Sequence, residues 1–92
     1  MRITEKDLKA VVQRINSILG ASETPWTFHS TTKTSKANIG NYHISHAYGG
    51  VALHRMMREG GGISDVFSSG HIPKKELYYM MQAFITGIGV AD

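Results

Sequence analysis

The chain predicts an α+β fold: a single α-β-β-β-α domain with both helices on one face of an antiparallel meander. Three observations lead there. Apolar residues recur at helical spacing near both ends, over residues 8–19 and 77–88. Between them lie short runs rich in β-formers, in which polarity alternates. Glycine clusters, Gly49-Gly50 and Gly60-Gly61-Gly62, separate those runs as turns do. With 92 residues there is length for one domain, 1–92, with a modest core.

The first helix starts after Thr4, an N-cap, with Glu5 and Asp7 placing negative charge in the first turn, where the helix dipole favours it. Leu8, Val11, Val12, Ile15, Ile18 and Leu19 form its apolar stripe, and Gly20 is a left-handed C-cap. Pro25 biases Thr24 toward an extended conformation, and Trp26 and Phe28, alternating about Thr27, suggest a short strand or flap. Residues 30–36 contain no apolar side chain and read as a solvated hairpin tip.

Residues 39–45 read as a strand with Tyr42 and Ile44 on one face and His43 and Ser45 on the other. Tyr48-Gly49-Gly50 is the turn. Residues 51–57 return as a second strand, with Val51, Leu53 and Met57 on the face of Arg55; two helical turns are the alternative for that run. Residues 63–67 are the third strand. The last helix begins near Pro73, buries Leu77, Met81, Phe84 and Ile88, exposes Lys75, Tyr79, Gln82 and Thr86, and ends at Gly87 and Gly89.

Composition excludes several classes. There is no cysteine, hence no disulfide and no thiolate metal site. No apolar run approaches the roughly 18 residues that span a bilayer, and Met1-Arg2-Ile3 does not open a signal peptide, so a cytoplasmic protein without membrane contact is expected. Ten basic against seven acidic residues, a net charge of +3, permits a phosphate-bearing ligand or nucleic acid without requiring one. Small size and abundant large apolar side chains favour a homo-oligomer.

No set of catalytic residues is evident. Outside the first helix and the loop after it, the acids are Glu59, Asp65, Glu76 and Asp92, none paired for acid–base work. Ser45 and His46 are adjacent, which on a strand sends their side chains apart. His43 and His46 diverge in the same way, and no carboxylate is near them in sequence, so neither a metal nor any other cofactor is expected. The stronger signal is Ser69-Gly70-His71-Ile72-Pro73-Lys74-Lys75-Glu76, a glycine loop entering a helix whose first turn carries two lysines. Free N–H groups, the dipole and two ammonium groups favour an anion there; two solvated lysines are the plain alternative. Candidate ligand-binding residues are therefore Lys74 and Lys75, joined by His43, Tyr48, Gly49, Gly50 and Arg55 from the hairpin. Tyr79, beside Lys75, offers a planar surface for a base.

The runs Gly40-Asn41-Tyr42-His43-Ile44, Ala47-Tyr48-Gly49-Gly50-Val51-Ala52-Leu53, Gly60-Gly61-Gly62, Lys74-Lys75-Glu76-Leu77-Tyr78 and Ala83-Phe84-Ile85-Thr86-Gly87-Ile88 resemble a group of small bacteriophage-encoded proteins with a Tyr-Gly-Gly turn and a final basic-acidic-Leu-Tyr helix. The resemblance covers residues 38–88 and brings no activity with it. It implies a non-enzymatic protein of the host bacterial cytoplasm that counters or redirects a host process by binding. A phosphate-bearing nucleotide is the leading ligand by this reading; nucleic acid on a surface of Lys33, Lys36, Lys74 and Lys75, or a host enzyme, are the alternatives. The element order is also similar to double-stranded RNA-binding domains, which carry lysines at the start of their last helix. That family has a further lysine one turn on, where this chain has Tyr78 and Tyr79.

Overall fold

The structure is a computed structural model that describes residues 2–91, with side chains described to Gly89; the expectations that touch Met1 and Asp92 lie outside the described residues. The order is α1 (Glu5–Leu19), β1 (Trp26–His29), β2 (Thr34–Ala37), β3 (Tyr42–Ala47), β4 (Gly50–Met56), β5 (Ile63–Asp65) and α2 (Lys74–Ala91). β3, β4 and β5 form an antiparallel meander. α1 packs on β3 and α2 on β4, the helices touch each other, and both cover one face. The α+β meander with a one-sided helical layer is thus what forms.

The sequence departs from the fold in one element and several boundaries. β1 and β2 make a separate antiparallel hairpin, so the polar segment expected to be a solvated tip contains a strand. Main-chain pairing with β1 orders it, which needs no apolar residue. The last helix runs through Gly87 and Gly89 to Ala91, because neither glycine takes a left-handed φ that would end it.

α1 begins as its sequence demands. The Thr4 hydroxyl accepts a hydrogen bond from the Asp7 N–H, and the Asp7 carboxylate accepts one from the Thr4 N–H at 2.8 Å, a reciprocal cap. Leu8, Val11, Val12 and Ile15 are buried, whereas Ile18 and Leu19, past the end of the sheet contact, are exposed. On α2 the buried line is Leu77, Met81 and Ile85, one turn apart each time. Phe84 flanks that line and packs its ring edge-on to Phe67 at 5.8 Å and near Tyr42 at 6.1 Å. Ile88 is half-buried.

Strand alternation sorts the sheet. Tyr42, Ile44, Val51 and Leu53 face the helices, while the opposed pairs His43–His54 and Ser45–Ala52 face outward. Tyr48 and Gly49, both at positive φ, close the β3–β4 hairpin as its two turn residues. Gly50 already belongs to β4, and a Cβ there would lie 2.9 Å from the His71 carbonyl carbon. Its lack of a side chain lets the segment before α2 close on the strand, where Val51 and Ile72 exchange main-chain hydrogen bonds at 2.8 and 2.9 Å.

Two buried asparagines hold the pieces in register. Asn16 is 1 % exposed; its carboxamide accepts from the Tyr42 N–H at 2.8 Å and donates to the Tyr42 carbonyl at 2.9 Å. Asn41, fully buried, donates to the Ser22 carbonyl at 2.7 Å and takes the loop after α1 to the start of β3. Among the described residues no helix is long and apolar enough to cross a membrane.

Candidate functional site

The residues expected to converge on one anion divide among four places. Tyr48, Gly49 and Gly50 lie at the hairpin turn, with Tyr48 100 % exposed and its ring 6.2 Å from that of His71. Lys74 reaches that end of the sheet too, but its ammonium stands 3.6 Å from the Glu5 carboxylate. His43 is on the outer face, opposite His54. Arg55 is at the far end of β4, on the helix side, with its guanidinium 5.9 Å from the centre of the Tyr42 ring. Lys75 and Tyr79 are exposed on α2, Tyr79 stacked edge-on against Tyr78 at 5.6 Å. The physical reason is the alternation of strand residues, which places His43 and Arg55 on opposite faces.

Glu5 was invisible as a site residue because its partner is 41 positions away. His46 Nε2 lies 2.6 Å from one carboxylate oxygen of Glu5, and Lys74 approaches the other. Partial desolvation raises the Glu5 carboxyl, but the hydrogen bond and charge of His46, with the Lys74 ammonium, hold it below the usual carboxylate range. The start of α2 thus already carries a carboxylate from α1 where an external anion would compete.

The outer face gathers a row of imidazoles. The His43 and His54 rings are 5.9 Å apart, and so are those of His54 and His71. Burial lowers His43, with the His54 charge adding to it. Burial also lowers His54, against an opposing pull from Asp65 and with help from His71. Ser45 diverges from His46 as expected, yet its hydroxyl lies 3.0 Å from His71 Nε2, a residue 26 positions on. A serine–histidine catalyst needs a third group that orients the imidazole. The nearby Asp65 instead accepts from the Gly70 N–H through one oxygen, while its other oxygen has no partner among the described residues. Among the described residues no group of three or more metal-ligating side chains converges.

The β1–β2 hairpin is the most unusual surface. Seven of its eight strand residues are exposed; the exception is Ala37, at its base. There the Ala37 N–H donates to the Glu59 carbonyl and the Asn38 N–H to the Pro25 carbonyl. Trp26, 45 % exposed, and Phe28, 64 % exposed, share one face of this arm. The Trp26 ring leans on Gly61, where a Cβ would come within 2.8 Å of it. Thr27, His29, Thr34 and Lys36 form the other face, and Lys33 sits in the connection. Residues 24–37 contain two lysines and no acid.

Comparisons with protein-family models, with characterised proteins and with solved structures yield no match to this chain.

Proposed function

We propose that the protein is a non-catalytic binding protein whose ligand is a single-stranded nucleic acid, held by the β1–β2 arm. The observation that carries this reading is an arm whose strand side chains, Ala37 apart, are exposed, that presents Trp26 and Phe28 on one face, and that bears cationic but no anionic side chains. Bases stack on exposed aromatic rings whatever their identity, and a strand that wraps the narrow arm brings its phosphates to Lys33 in the connection and Lys36 on the opposite face. A mononucleotide at the start of α2 has less support, because Lys74 faces Glu5. A phage origin and action against a host process accord with a small protein that works by binding, and form part of the same proposal.

The test is fluorescence anisotropy of a labelled single-stranded oligonucleotide of mixed sequence, titrated across salt concentrations. If Lys33 and Lys36 each meet one phosphate, log K falls against log salt with a slope of about −1.4. Changing both to glutamate removes binding, whereas changing Lys74 and Lys75 to glutamate leaves the slope nearly unaltered. Equal binding by the Lys33→Glu/Lys36→Glu protein would refute the arm as the site.

A further inference from the structure

β3 is an edge strand, and its outward side is only partly closed. In an antiparallel pair, alternate residues turn both main-chain groups away from the partner strand. On β4 these are Val51, whose N–H and carbonyl both bond to Ile72, and Leu53, whose carbonyl accepts from the Val66 N–H. Their counterparts on β3 are Tyr42, Ile44 and His46, directed away from the sheet. The Asn16 carboxamide takes both groups of Tyr42, as the amide of a further strand would. Ile44 and His46 are the next two positions along that line, and among the described residues β4 is the only strand paired with β3.

The space beside them is a groove of about 300 Å³ between α1 and β3, lined on the helix side by Glu5, Lys9, Val12 and Gln13 and closed at one end by Asn16 and Glu23. This is the lower end of the size range for ligand pockets. The helix flanks the edge on its own side, so the sheet of a second copy, carrying its own α1, does not fit as a single strand does. Glu5 is engaged by His46 and Lys74, but Lys9 and Glu23 are in no ion pair among the described residues.

We infer that the α1–β3 groove binds an extended peptide segment of a partner protein as a fourth strand of the sheet. The main-chain groups of Ile44 and His46 supply the hydrogen bonds. Lys9 receives an acidic side chain and Glu23 a basic one. The Asn16 carboxamide marks the line on which the peptide backbone lies, and it stops the added strand at Tyr42. Strand addition draws affinity from main-chain bonds and specificity from alternate side chains, here through a segment of about five residues. The site is on α1 and β3, separate from the arm, and does not depend on nucleic-acid binding.

The test is selection of a displayed library of short random peptides on the purified protein, followed by binding of the enriched peptides to two variants. His46→Pro removes an outward N–H that takes no part in the β3–β4 ladder, a place where proline is tolerated on an edge strand. His46→Ala removes the same side chain and keeps the N–H. Enriched peptides that carry an acid and a base, bind the His46→Ala protein within about threefold of the parent and lose at least about tenfold on His46→Pro support the inference, since tenfold corresponds to one lost hydrogen bond of about 1.4 kcal/mol. Should the proline variant not fold, amide exchange at Ile44 and His46 in the parent protein, slowed by the peptide, carries the same information. Absence of any enriched peptide, equal binding to His46→Pro, unchanged exchange at both amides, or self-association through β3 would each overturn it.

Discussion

The two hairpins of this protein are joined by similar rules and held by different ones. The β3–β4 hairpin turns on Tyr48 and Gly49, lies under two helices, and has Val51, Ala52 and Leu53 with essentially no exposure. The β1–β2 hairpin pairs just as regularly, from Trp26 opposite Ala37 to His29 opposite Thr34, yet of its side chains only Ala37 is buried. Main-chain pairing fixes the shape of both, but burial of apolar surface stabilises only one. A side chain that contributes nothing to the fold can change without unfolding it, which leaves the arm free to serve a partner.

The contrast breaks most visibly in the core. Leu53→Ala is expected to cost about 2–5 kcal/mol of unfolding free energy, read from urea denaturation, because the residue is fully buried in the core under the helices. The same change should leave oligonucleotide affinity unaltered at temperatures where the variant is folded.

A smaller effect separates the two by pH. His43 and His54 sit on the outer face of the meander, among His71, Ser45, Asn41 and Asp65, and both titrate below the ordinary imidazole value when folded. The unfolded chain therefore binds protons first. Stability from these groups is complete above about pH 6.5 and is lost as pH falls below it toward their folded values. The thermal midpoint should drop between about pH 7.5 and about pH 5.5, and a His43→Gln/His54→Gln protein should lose part of that drop. An unchanged pH profile in the double variant would assign the acid sensitivity elsewhere.

How much of this was legible follows from the range of each interaction. The caps of α1, the apolar stripes and the Tyr48-Gly49 turn are set within a few residues, and they read directly from the chain. The phase of α2 read less well, since Phe84 and Ile85 are both apolar and only packing decides that Ile85 enters the core and Phe84 the flank. β2 has Ala37 as its one apolar residue, too little for a pattern, and main-chain bonds to β1 order it. The contacts of Asn16 with Tyr42, Ser45 with His71 and Glu5 with His46 span 26, 26 and 41 positions, and no local pattern announces them. Strand alternation puts His43 and Arg55 on opposite faces, Glu5 takes Lys74, and the exposed arm, read from sequence only as a flap and a solvated tip, is the more distinctive surface.

The claim that the arm serves binding and not stability meets its most direct test at Phe28, exposed on the arm and clear of Gly61. Phe28→Ala should change unfolding free energy by no more than about 0.5 kcal/mol. It should also weaken single-stranded oligonucleotide binding by about 1–3 kcal/mol, the contribution of one stacked base. A variant that binds the oligonucleotide as tightly as the parent, or that loses stability as a core substitution does, would contradict the account.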